Sequence, residues 1–137
     1  MHLSGQALVF KCAVATQENF IEMLTKCPRI LHISCHGVDN LGNNTQFFSS
    51  PNPDKFEEEN FLLFETMNGE GELVSARQLR ILVKEALPDL DVVFVAACKS
   101  EFVGEIFLRC GARHVICVKK DRSVLDAAAI SFTKYFY

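Results

Sequence analysis

His36 and Cys98 are the two residues of this sequence best suited to covalent catalysis. A thiolate can attack a carbonyl carbon, and an imidazole within reach can supply the proton that the leaving amine needs. The two stand 62 positions apart, so only the fold can bring them together. Each closes an apolar run, "RILHISCHG" in one case and "DVVFVAACKS" in the other. In a parallel sheet, chemistry gathers at the carboxyl ends of the strands, and neighbouring strands lie about 4.8 Å apart. A His-Cys dyad is the expected result if both runs are parallel neighbours. Cys98 also precedes a predicted helix N-terminus, with Lys99 beside it, and both favour thiolate. Gly37, with no Cβ, lets the backbone approach a substrate carbonyl. The backbone N–H groups of Gly37 and Cys98 are the candidate oxyanion hole.

Cys35 competes for the nucleophile's role and fails on direction. Adjacent strand residues face opposite sides, so Cys35 is expected under a covering helix while His36 points elsewhere. A plainer reading stands beside the dyad. A histidine at a strand end is often only solvated, and a cysteine ending a buried strand is often only core.

The elements that must position these residues follow from periodicity and caps. Residues 7–14 read as a strand. Thr16 caps a helix over 17–27, with Phe20, Met23, Leu24 and Cys27 at helical spacing and Pro28 closing it. A strand covers 30–35. Residues 38–60, rich in Asn, Ser, Pro and acid and carrying Glu57-Glu58-Glu59, read as a long flexible loop. "FLLFETMNGEGELV" predicts a hairpin. Ser75 and Gln78 form a capping box for a helix to about Leu87. The run 91–98 does not alternate, which implies that both its faces are covered. Ser100 caps a helix over 101–110 that Gly111 ends. "RHVICV" is another buried strand, and Ser123 with Asp126 caps a final helix to Tyr137. Strands alternating with helices predict an α/β layered fold with a mostly parallel central sheet.

Composition bounds the rest. The 137 residues suggest one domain, and 49% apolar residues supply a core. A net charge of −3 offers no basic surface for nucleic acid, and no apolar run has the length of a membrane span. Six cysteines without CxxC or zinc-finger spacing are expected as free thiols of an intracellular (cytoplasmic) protein, with no metal and no cofactor.

"LHISCHG" and "VVFVAACKS" together resemble the His-Gly and Cys motifs of caspase-like cysteine peptidases. The closer resemblance is to the CHAT domain, the caspase-like peptidase domain often attached to TPR repeats. Its "LVSARQL" helix start, "CGARHVI" strand and final helix ending in Phe-Tyr are similar, so the match spans about residues 8–137. The resemblance implies a caspase-like α/β/α fold, a thiol protease (hydrolase) and a His36–Cys98 dyad. It also implies that residues 1–137 are one CHAT-type domain, expected to be the C-terminal catalytic part of a longer family domain. Two features depart from the family. Lys99-Ser100 replaces the usual acid or glutamine with Thr or Ser, and "VKKD" stands where a tryptophan usually shapes the specificity pocket. Relatives that cut after basic residues use an acid beyond the "GAR" strand. The matching positions are Asp126 and, less closely, Asp121, although Asp126 also suits the helix cap.

Three functions compete. The first is an endopeptidase acting on a protein substrate. The second is a catalytically inactive module of the same fold that binds a regulatory protein or serves an attached repeat domain. The third, a nucleotide-binding domain, lacks both GxGxxG and a P-loop.

Overall fold

A computed structural model describes residues 9–39, 60–83 and 89–137. Among them the chain forms helix α1 (Gln17–Thr25), strands β1 (Ile30–Ser34), β2 (His36–Asp39), β3 (Asn60–Glu65) and β4 (Gly71–Ser75), and helix α2 (Ala76–Leu82). Strand β5 (Val92–Ala96), helix α3 (Glu101–Arg109), strand β6 (His114–Ile116) and helix α4 (Asp126–Phe136) complete it. Strands β1, β5 and β6 make a parallel sheet in the order β1-β5-β6, as the alternating pattern predicts. Strands β2, β3 and β4 make a second, antiparallel sheet.

The core explains the layering. Leu31 and Ile33 of β1 and Val93 and Val95 of β5 pack with Phe20 and Leu24 of α1, Leu79 of α2, and Val103, Ile106 and Phe107 of α3. Leu62, Phe64 and Val74 carry the hairpin β3–β4 into the same core. The Phe20 ring joins the two parts, 5.7 Å from Phe64 and 6.4 Å from Phe107 between centroids. Strand β5 is covered on both faces, since Phe94 and Ala96 are buried opposite Val93 and Val95. On that opposite face Phe94 meets Phe132 and Phe136 of α4, at 5.2 and 5.7 Å. The result is the expected α/β/α layering, with α4 as the thinner layer: none of its residues is buried.

Local signals mostly hold. Thr16 Oγ1 accepts from the Asn19 N–H at 3.1 Å. The Ser75–Gln78 capping box is formed in both directions, at 3.1 and 3.0 Å. The hairpin turns where Asn68-Gly69 predicts, with Gly69 at φ 80°.

Six expectations are corrected. Residues 9–14 form no strand, and Val9 and Phe10 are exposed. Strand propensity without an edge to pair with does not make a strand. The strand expected over 30–35 stops at Ser34, and Val38 and Asp39, expected in the loop, belong to β2. The remainder of that loop, 40–59, lies outside the described residues, as does the predicted end of the α2 helix. The "RHVICV" strand shortens to three residues. Ser100 occupies the N-cap of α3 but makes no capping bond. Nor does Ser123 cap the last helix, whose N-cap is Leu125 without a side-chain bond.

Candidate active site

β1 and β5 run parallel in a register that pairs Ser34 with Ala96. His36 and Cys98 each lie two residues beyond that last pair, so both segments leave the sheet at the same edge. Their routes then diverge. The Cys35 N–H still donates to the Ala96 carbonyl, at 3.4 Å. One residue later the chain enters β2, where His36 pairs with Leu63 and Gly37 with Leu62. His36 is therefore the first residue of a second strand, held by the hairpin, and its side chain is exposed. The sequence signal for this switch is weak, because Cys35 interrupts nothing in the apolar pattern.

Gly37 lies directly on the backbone of Cys98. A Cβ built on Gly37 would stand 1.8 Å from the Cys98 carbonyl oxygen, 2.8 Å from its carbonyl carbon and 3.2 Å from its nitrogen. No real Cβ fits there. Glycine is thus required for packing as well as for the substrate approach expected from sequence. The contact brings the His-Gly and Cys segments together at the sheet edge. The group of Cys98 nearest to this Cβ position is its carbonyl.

Beyond β5 the chain makes a tight elbow. Lys99 has φ 53°, in the left-handed region that non-glycine residues rarely enter. Ser100 follows, fully buried at 0% exposure, and acts as an anchor. Its Oγ donates to the Val95 carbonyl at 3.4 Å and accepts from the Val118 N–H at 3.0 Å. The elbow is thereby tied back to its own strand and across to the segment after β6. In sequence Ser100 looks like a helix cap because the same residue type suits both tasks.

Cys98 is half-buried. Its Sγ accepts from the Val124 N–H at 3.3 Å and donates to the Val124 carbonyl at 3.5 Å. No sequence signal marks Val124 as a neighbour of the thiol. Cys35 is the poor nucleophile that strand alternation predicts: burial pushes its thiol up to about 12. Burial also raises Cys117, with the charges of Glu101 and Glu105 adding to the effect, and raises Cys110. Cys12 and Cys27 lie exposed.

Asp121 is exposed and lies 3.9 Å from Arg122. Asp126 is the exposed first residue of α4. Asp121 stands within the segment that reaches Cys98, and Asp126 follows two residues after Val124. Among the described residues no group of three His, Cys, Asp or Glu side chains could hold a metal ion. No helix among them is long and apolar enough to cross a membrane.

The family model described as "CHAT domain" matches residues 2–137. No curated protein and no solved structure matches the chain.

Proposed function

From the premise that this chain belongs to the CHAT domain family, a caspase-like and peptidase-related family, we propose that it is a cysteine endopeptidase. In this reading Cys98 Sγ gives its proton to His36 and attacks the scissile carbonyl carbon of a protein substrate. The carbonyl oxygen takes up the electron pair, and the N–H groups of Gly37 and Cys98 stabilise it. Collapse of that intermediate expels the amine, which receives a proton from His36, and leaves a thioester on Cys98. Water then hydrolyses the thioester and frees the thiol. A basic residue before the cut, facing Asp126 with Asp121 nearby, is the preference we propose, since a desolvated cation needs an opposing acid.

The observation that supports this reading is the seating of Gly37 on Cys98, which joins the two motif segments at one sheet edge. One observation favours the second reading, a module of this fold that binds a protein partner without cutting it: the thiol is already engaged by Val124.

Peptides with Arg or Asp before the cut, otherwise identical, separate the readings. Cleavage after Arg that disappears in Cys98→Ala and weakens in Asp126→Ala is the expected result. Cleavage that survives Cys98→Ala, or no cleavage of either peptide, would overturn the peptidase reading. An Arg preference untouched by Asp126→Ala would remove that residue from the pocket.

A further inference from the structure

The segment 118–124 is fastened to Cys98 and to each of the three residues after it. Val124 holds Cys98 Sγ through both its N–H and its carbonyl, at 3.3 and 3.5 Å. The Lys99 N–H donates to the Arg122 carbonyl at 3.1 Å. Ser100 Oγ accepts from the Val118 N–H at 3.0 Å. The Glu101 Oε2 accepts from the Lys120 N–H at 2.9 Å. A turn closed by the Arg122 N–H on the Lys119 carbonyl, at 3.0 Å, shapes the segment between these ties.

We propose that residues 118–124 form an autoinhibitory strap that covers the Cys98 thiol and must lift before the sulfur can react. Two features carry this. Four consecutive residues, Cys98 to Glu101, are tied to Val124, Arg122, Val118 and Lys120, so the strap is held at points spread along its whole length. The sulfur is also bonded to both the N–H and the carbonyl of one residue, Val124, which occupies directions an incoming carbonyl carbon would use. The ties differ in strength of shelter. Ser100 is fully buried and fixes the Val118 end as a hinge, whereas the Glu101 tie lies at the surface. That exposed tie is the one a partner or substrate can compete for. The strap's bearing on catalysis rests on Cys98 being the nucleophile; the cover itself does not.

The test reads the thiol directly. The full chain is treated with iodoacetamide, and alkylation of Cys98 is followed by peptide mass spectrometry against the exposed Cys27. Glu101→Ala removes the acceptor for the Lys120 N–H, and Glu101→Gln keeps one while losing the same charge. Alkylation of Cys98 roughly fivefold faster in Glu101→Ala than in Glu101→Gln is expected, since a hydrogen bond to a charged or amide acceptor holds a closed state by about that factor. Equal rates in the two variants, or a wild-type Cys98 that reacts as fast as Cys27, would overturn the strap. If Glu101→Ala fails to fold, which labelling of Cys35 would reveal, amide exchange on the wild type decides. Joint protection of the 118, 120 and 124 amides supports the strap, and exchange at unfolded-peptide rates refutes it. No cleavage by a Glu101→Ala chain whose Cys98 alkylates fast would sink the peptidase reading and keep the strap; a fast-reacting wild-type Cys98 in an active chain would do the reverse.

Discussion

Gly37 and Cys98 touch backbone to backbone, so that the α-carbon of one faces the carbonyl oxygen of the other with no room for a methyl group. Gly37→Ala must push the two segments apart, because the obstructing atom belongs to a backbone and cannot rotate away. Overpacking of this kind costs roughly 1–3 kcal/mol. The expected outcome is a lower urea midpoint together with loss of peptidase activity. An alanine variant as stable and as active as the wild type would show that the contact does not hold the site.

The thiols separate by environment. At pH 8 a group with its midpoint at about 12, as burial gives Cys35, is thiolate in only about one molecule in ten thousand. Cys35 should therefore stay unlabelled in the native chain while Cys12 and Cys27 react, as mass spectrometry of the labelled peptides would show. Cys35→Ala should preserve any activity that Cys98→Ala abolishes.

Ser100→Ala leaves the Val118 N–H and the Val95 carbonyl without the hydroxyl that joins them. Buried groups stripped of a partner cost about 1–3 kcal/mol. Chemical denaturation should show a loss of that size. A loss below about 0.5 kcal/mol would show that the hydroxyl does not hold the elbow.

Cys27 has φ 49° just after the end of α1, where helices commonly place glycine. Cys27→Gly should raise stability by about 1 kcal/mol, because the Cβ strain of the left-handed region disappears. A urea midpoint that falls would count against this.

Asp91 accepts from Arg29 and lies 3.0 Å from Arg113. The Arg29 hydrogen bond, reinforced by the charges of Arg29 and Arg113, holds its carboxyl below the usual carboxylate range. The folded group is thus the stronger acid. Its stabilisation is complete above the unfolded carboxylate's midpoint and fades as pH falls through the folded value. Denaturation of the wild type and Asp91→Asn should differ at pH 7 and converge towards pH 3. A gap that stayed constant over that range would rule out the ion pair as its cause.

The parallel sheet and its helices were legible because their signals are local. A non-alternating run such as 92–96 reports two covered faces, and Ser75 and Gln78 report a helix start, whatever lies elsewhere. The order of His36 and Cys98 along the sheet edge followed from the same logic. What could not be read is what depends on meetings between distant segments. Cys35 looks like any apolar strand residue, yet the chain changes sheets there, because the hairpin of residues 60–75 offers His36 a partner that β5 does not. Val9 and Phe10 look like strand residues and join no strand among the described residues. Ser100 and Ser123 both look like caps, and the first is instead tied to Val118, eighteen residues further on.

Helix α4 buries no residue; among the described residues its rings meet the sheet at Phe94, and Tyr137, just past its end, stacks on His32. Proteins open in cooperative units, and the unit with least buried surface opens at the smallest cost in free energy. By that measure α4 is the first foldon to detach, well before the core that Phe20, Leu62 and Phe107 share. Only Leu125 separates it from Val124, so each detachment frees the chain on one side of Cys98 while Ser100 keeps hold on the other. The native ensemble therefore contains a minor population, set by the docking energy of a few rings, in which the last helix is loose and the core is intact.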